Sequence, residues 1–349
     1  MTASPSGGDH GERPAVSVVI LAYLDEPDLE ASVHSALASI GVDADVVLVD
    51  NGCTDGAVGR LEGTEGVRVL HPGRNLGFTG GNNAGAAAAT GQLVALLNGD
   101  AVAEPTALAA LAAAALRPDI GIASACVTLA SEPELLNSRG SDVHFLGFGW
   151  SGGFREPVVE HRAEVDVLGA SGAAMAMRRE LWDDLGGFHD DYFAYLEDTE
   201  LSLRCWQRGL RVVYVPEAVV RHRYEFSRNP RKFYLLERNR LLLVLTMFEL
   251  RTLLVLLAPL VAAEAATLAM AIASGWGREK VASWGWLLKN GRRVAARRRQ
   301  LQRERTVPDR SLAPRFVAHL DPGNYPLPAA LRPFDAVLAG YWRLVRRLL

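Results

Sequence analysis

The chain predicts an α/β fold with a mostly parallel sheet, and three features of its first hundred residues carry that expectation. Apolar runs recur at 16–23 (VSVVILAY), 44–51 (ADVVLVDN), 67–71 (VRVLH) and 92–97 (QLVALL). Helix-periodic or small-residue segments lie between them, and polar residues gather where the runs end. Strands that alternate with helices pair in parallel, with helices on both faces. Ligands of such sheets sit beyond the carboxyl ends of the strands.

The elements follow in order. The run 16–23 is continuously apolar and rich in β-branched residues, as a strand buried on both faces requires. Pro27 opens a helix with Leu29, Val33, Leu37 and Ile40 along one face. The segment 80–91 (GGNNAGAAAATG) is a short helix of small residues. Farther along, 119–129 and 210–216 are strands, 141–154 (SDVHFLGFGWSGGF) is a Gly/aromatic loop, and 165–181 passes from strand through a small-residue turn. An apolar block spans Leu241 to Ala273 and an Arg-rich tail closes the chain. The expected division is a polar, disordered 1–15, a catalytic domain over 16–240 and a helical appendage over 241–349.

With 349 residues and 49% hydrophobic content, the chain can build one large domain plus that appendage. Residues 277–349 carry sixteen Lys/Arg against five Asp/Glu, an excess of eleven; against the total of −3 the first 276 residues sum to −14. The basic tail suits an anionic lipid surface or another polyanion; nucleic acid is not an expected partner, and a homo-oligomer stays open. Cys53, Cys126 and Cys205 are odd in number and in no metal-ligand spacing, which fits a reducing compartment. The first fifteen residues lack an apolar run, so no signal peptide is expected. The turn after the first strand, AYLDEP, contains no glycine, which argues against a dinucleotide-binding dehydrogenase. It also lacks the Gly-rich, lysine-bearing signature of a nucleotidyltransferase.

Four stretches carry candidate chemistry. In LVALLNGDAV, Asn98-Gly99 marks a turn, but the following residues read as helix, not as a returning strand. Asp100 then stands at the sheet's carboxyl edge, where one carboxylate and an amide can hold Mg²⁺ or Mn²⁺ beside substrate phosphates. In DNGCTDG, Asp50 either accepts hydrogen bonds from a nucleobase or ribose or closes an Asx turn. In HPGRNLGFTGGNNAG, Gly77, Gly80 and Gly81 allow close backbone approach, and Arg74 places charge before a helix N-terminus. In YFAYLEDTELSLRCW, Glu197, Asp198 and Glu200 crowd three carboxylates into four positions. They read either as a helix start, with Asp198 as cap and Glu200 paired to Arg204, or as the seat of a catalytic base.

Taken together, VSVVILAYLDEPDLEASVHSAL, VVLVDNGCTDG, GRNLGFTGGNNAG, LLNGDA, the run from Gly172 to Pro216 and VVRHRYEFS resemble the family 2 inverting glycosyltransferases of GT-A fold. The resemblance is to the bacterial branch of rhamnosyl- and galactofuranosyl-transferases, and covers roughly residues 16–240. It implies a nucleotide-diphosphate sugar donor, dTDP-rhamnose or a UDP-sugar, and an acceptor hydroxyl on a polyprenyl-diphosphate-linked or polysaccharide glycan. It implies that Asp50 contacts the nucleoside and that Arg74 and Asn75 line the nucleotide pocket, with Ala22, Tyr23, Gly77 and Gly172 completing the donor site. Asp100 matches the last residue of the D-x-D motif, with Asn98 at its first position, and His222 matches a metal-site histidine. Asp198 matches the general base, with Glu197 beside it on the acceptor face. Trp150 and Phe154 either stack on the acceptor sugar or belong to the core. A non-catalytic nucleotide-sugar-binding relative is the alternative.

Leu241–Ala273 is long enough to tempt a transmembrane assignment. Basic residues on both flanks argue against a single span. The expectation is a set of helices in the cytoplasmic leaflet, with the Arg-rich tail on anionic headgroups; a soluble helical appendage is the alternative.

Overall fold

A computed structural model of the chain describes residues 13–224, 231–323 and 329–349. The expectations for residues 1–12 and 225–227 lie outside them.

The N-terminal half forms the expected alternation. β1 (Ala15–Leu24), α1 (Leu29–Leu37), β2 (Asp43–Cys53), α2 (Ala57–Leu61), β3 (Val67–Leu70), α3 (Gly77–Ala88) and β4 (Leu93–Asn98) follow one another. β1 pairs in parallel with β2 and β4, and β2 with β3. α1 buries Leu29, Ser32, Val33 and Ala36 and ends before Ile40, which is exposed and outside the stripe the periodicity suggested.

The second half departs from a simple alternation. β5 (Ala101–Ala103) precedes α4 (Ala107–Ala115), then come β6 (Ile120–Leu129), β7 (Glu132–Ser138), β8 (Ser141–Val143), β9 (Gly149–Ser151), β10 (Val165–Asp166) and β11 (Ala174–Arg178). α5 (Arg179–Leu185), α6 (Glu197–Gln207) and β12 (Arg211–His222) follow. The main sheet has the order β10-β12-β6-β11-β4-β1-β2-β3, with β5 added on β12 and β7 on β6. β11 runs antiparallel between β4 and β6, so the sheet is mixed at its centre. The segment 141–154, expected as a loop, contains the β8–β9 hairpin.

The C-terminal helices are α7 (Lys232–Met247), α8 (Leu250–Ala273), α9 (Gly277–Lys289), α10 (Gly291–Glu304), α11 (Asp309–Leu312) and α12 (Arg332–Val345). α7 runs through the expected division at 240/241. The hydrophobic core on that side of the sheet is continuous from β-strand residues such as Val94 and Ile122 to Leu243, Leu301, Phe316 and Trp342. The helices are built onto the catalytic half.

Candidate active site

α6 starts from a strained turn. Phe193, Tyr195 and Leu196 hold left-handed backbone, with φ of +62°, +73° and +64°. Such conformations cost about 1–3 kcal/mol each in residues with a Cβ, so the surroundings must hold them. Asn239 of α7, fully buried, donates to the carbonyls of Tyr192, Ala194 and Tyr195 at 2.9, 2.8 and 2.7 Å. Its neighbour Arg238 donates to the carbonyls of Asp191 and Tyr192. From the other side, the Thr79 amide donates to Phe193 O at 3.1 Å. Gly77 packs so close that a Cβ there would lie 2.5 Å from the same oxygen. The glycine loop expected at the donor is therefore also a bearing surface for this turn. Asn239 was invisible in the sequence because its partners lie some 45 residues away on irregular backbone.

The turn delivers three carboxylates to three environments. Asp198 lies inside the first helical turn, and Leu196 occupies the cap position. Asp198 Oδ2 accepts the Gly172 amide at 2.9 Å, and Oδ1 accepts the amide and hydroxyl of Thr199 at 2.6 and 3.2 Å. Its side chain keeps partial access to solvent. Low-dielectric surroundings push its pKa up against the pull of those hydrogen bonds. Glu197 is 5% exposed, so it is walled in instead of lining an acceptor face. Its Oε2 has no hydrogen-bond partner, and burial, reinforced by the Asp198 charge, raises its pKa well above the carboxylate range. Glu200 makes the expected pair with Arg204 at 2.9 Å and a second with Arg297 of α10 at 2.8 Å. Burial alone would raise its pKa, but the two guanidiniums hold it below the usual value. One carboxylate is partly exposed, one is buried without a partner for its Oε2 and one is paired with two guanidiniums.

The second cluster forms where β5 lies against β12. Their register sets His222 opposite Ala101, and the Arg223 amide donates to Asp100 O at 2.9 Å. His222, buried at 7% exposure, is not the surface residue that its place between two arginines allowed. Its Nε2 is 3.1 Å from Asp100 Oδ1 and 3.3 Å from Asn98 Nδ2, and its Nδ1 is 2.8 Å from Asn137 Oδ1. With Nδ1–H donated to the Asn137 amide oxygen, a neutral ring would turn its Nε2 lone pair toward the Asp100 carboxylate. Two acceptors face to face fit a cation. Among the described residues no group of three or more His, Cys, Asp or Glu could hold a metal, so the pair suits an ion completed by substrate oxygens and water. Asn137, brought by β7, was another residue the sequence did not reveal.

On the donor side, β1 and β2 end together, with Ala22 opposite Asp50, and Tyr23 follows at the same edge. Asp50 Oδ1 accepts the amides of Gly52 and Cys53 at 3.2 and 3.0 Å, so the Asx turn is formed. Its Oδ2 lies 3.3 Å from His71 Nδ1. Buried Asn51 accepts from Leu76 N at 2.7 Å and donates to Gly77 O at 3.1 Å, and Asn75 Oδ1 accepts from Gly77 N at 2.7 Å. Arg74, in the same loop, is exposed. Trp150 and Phe154 line a polar cleft of about 400 Å³ with Asp142, Glu156, His319 and Asp321. Phe154 meets Tyr224 edge-on at 5.6 Å, and the Tyr224 and His222 ring centres are 6.2 Å apart, which sets the cleft beside the Asp100–His222 corner.

The mixed sheet thus carries a Gly-rich loop after β3, an Asn-Gly-Asp turn after β4 and a shielded Glu-Asp pair at the start of α6. The chain belongs to the family described as glycosyltransferase like family 2, which matches residues 14–241. It is 30% identical over 233 residues to the N-acetylglucosaminyl-diphospho-decaprenol L-rhamnosyltransferase of Mycobacterium tuberculosis, spanning 59% of this chain and 75% of that one. GalNAc-T7, solved with UDP, GalNAc and Mn²⁺, superposes with a TM-score of 0.56 at 18% identity, over 67% of this chain and 48% of its own. Residues 1–349 of TarS from S. aureus, solved with UDP, superpose with a TM-score of 0.52 at 16% identity, over 95% of this chain and 90% of that one. The C-terminal helices are thus included in the likeness of fold to TarS.

Proposed function

We propose that the protein transfers a sugar, with inversion, from a nucleotide-diphosphate donor to a hydroxyl of a lipid-linked or cell-surface glycan at the inner face of the cell membrane. dTDP-rhamnose is the leading donor, ahead of UDP-sugars, because of the rhamnosyltransferase relative. The observation that carries the mechanism is the division of labour in the Glu-Asp pair: Asp198 alone is reachable and fixed at both oxygens.

Asp198 takes the proton of the attacking hydroxyl. A raised pKa makes it a better base once ionised. Glu197, neutral, keeps a second negative charge from its flank. Gly172, whose amide holds Asp198 Oδ2, would meet both Asp198 and Phe78 if it carried a Cβ, at 3.2 and 3.3 Å. The wall beside the base therefore has to be backbone, and a donor sugar can approach there. Asp50 and the Arg74–Gly77 loop hold the nucleoside and its phosphates. Asp100 and His222 would hold Mn²⁺ or Mg²⁺, which when bound neutralises charge on the departing diphosphate. Asn137 keeps the His222 lone pair directed at that place. Trp150 and Phe154, in the cleft beside this corner, offer their faces to the acceptor glycan.

A thermal-shift panel of nucleotide sugars with and without Mn²⁺ or Mg²⁺ tests the reading. A donor at a hundred times its Kd adds about 2.7 kcal/mol to stability. The expected result is a shift with one donor that needs metal and disappears in Asp100→Ala. No shift with any donor, in either metal, overturns it.

A further inference from the structure

The largest uncovered feature lies away from the active site. α8 is apolar all round, yet it is buried on one side only. Its inward stripe is Thr252, Leu256, Pro259, Ala263, Thr267 and Ala271. On the opposite side Leu250, Leu254, Leu257, Val261 and Ile272 are each 58–66% exposed. From Thr252 to Ala273 the helix carries one charged residue, Glu264, and that side chain turns inward to Arg240, Lys280 and the Trp284 indole. The solvent side of a helix about 36 Å long therefore bears no charge beyond Arg251 near its start.

Its neighbours extend the surface. α9 reaches Glu264 through Lys280, and α12 reaches the far flank, where Tyr341 donates to Val255 O. Both expose apolar residues, Val281 and Leu288 on α9 and Val337 and Leu344 on α12, with Leu348 just past its end. Exposed cations lie around these, Arg251 in the first turn of α8, Arg278 in the first turn of α9, Arg332 at the start of α12 and Arg347 just past its end. Across α8, α9 and α12 no aspartate or glutamate is exposed.

We propose that the α8 face, flanked by α9 and α12, docks the protein on an anionic lipid bilayer, with α8 lying in the interface. Charge complementarity selects this occupant. A second copy of the chain would set the same arginines against one another with no carboxylate to meet them, whereas an anionic leaflet supplies both the apolar layer and the opposite charge. The inward stripe and the buried Arg240–Glu237–Lys280–Glu264 cluster also keep α8 from being surrounded by lipid. It lies on the bilayer and does not cross it. This differs from docking through the Arg-rich α10, which exposes Arg292, Arg299 and Arg303 but no large apolar side chain beside them, while its Arg297 and Arg298 turn inward to Glu200 and the carbonyls of Leu245 and Phe248. The inference rests on the function reading only in its expectation of a membrane-borne acceptor.

The test is co-sedimentation of the full chain with phosphatidylcholine vesicles, with and without phosphatidylglycerol, beside light scattering of the protein alone. Wild type is expected to be monomeric and to bind the anionic vesicles. Leu254→Glu with Val261→Glu should lower the bound fraction about tenfold or more, since each leucine-sized side chain loses its transfer from water. Arg332→Glu with Arg347→Glu should lower it less, and in a salt-dependent way. An unchanged melting temperature in each variant shows that the exposed substitutions leave the fold intact. Unaltered vesicle binding in the Leu254/Val261 variant overturns the proposal, as does wild type that ignores vesicles, whether as a monomer or as a dimer broken by the same variant. Vesicle binding needs no sugar, so a failed donor panel with intact vesicle binding would sink the function reading alone.

Discussion

Asp198 and Glu197 are adjacent carboxylates with unlike surroundings, and their separate variants should behave differently. Asp198→Asn is expected to abolish turnover while leaving the donor-induced thermal shift in place, because the lost group acts on the acceptor proton. The raised pKa of Asp198 puts the acid limb of kcat above the ordinary carboxylate value of about 3.9. Glu197→Gln bears on stability. A carboxyl whose pKa is raised by folding contributes stability that is complete at low pH and is lost as pH rises through the raised value. Melting temperatures measured from acid to alkaline pH should therefore fall less steeply in Glu197→Gln than in wild type, with the variant the more stable at the alkaline end. Equal slopes would mean that Glu197 is not buried as an acid.

The catalytic turn is an element-scale device, held on both flanks by helices distant in sequence. Gly77→Ala must seat a methyl against Phe193 O and adopt φ +74°, so a loss of roughly 1–3 kcal/mol in urea denaturation is expected. Because α3 also carries the donor loop, the donor KM should rise. Asn239→Ala removes the amide that serves three carbonyls; kcat should fall by about a hundredfold or more while the donor KM stays near wild type, and the acid limb of the kcat profile should move as Asp198 shifts. The β5–β12 pairing makes an equivalent statement for the Asp100–His222 corner. Asn137→Leu frees the His222 ring, and titration calorimetry with Mn²⁺ and UDP should show weaker metal affinity, by about 10–100-fold.

At the scale of the molecule, the C-terminal helices are structural members of the enzyme. Arg297 crosses from α10 to Glu200, which is buried between two guanidiniums two residues after Asp198. Arg297→Ala leaves that carboxylate undercompensated, and a loss on the order of 3 kcal/mol in chemical denaturation is expected. The tail's basic composition, suggestive of a headgroup-binding surface, is thus partly internal. Arg305 likewise pairs with Asp309 and reaches Met247 O, and Arg315 pairs with Asp166. The apolar exposure falls instead on α8.

The sequence by itself determined the α/β alternation, the strand ends as the place for chemistry, and Asp100 and the Glu197–Asp198–Glu200 cluster as groups to watch, whereas His222 and the base role of Asp198 entered only through the family resemblance. These are local signals: apolar periodicity, turn dipeptides and clustered carboxylates are all written within a few residues. Only the tertiary structure decided which member of the Glu-Asp pair is partly exposed, that Asn137 meets the His222 ring, and that Asn51 and Asn239 brace the two loops of the site. It also decided that β11 runs antiparallel and that Arg297 and Arg298 of the Arg-rich helix turn inward. Each of these depends on partners far apart in the chain, where burial and hydrogen-bond satisfaction are settled by packing, and a lone asparagine or arginine has no periodicity to announce its partner.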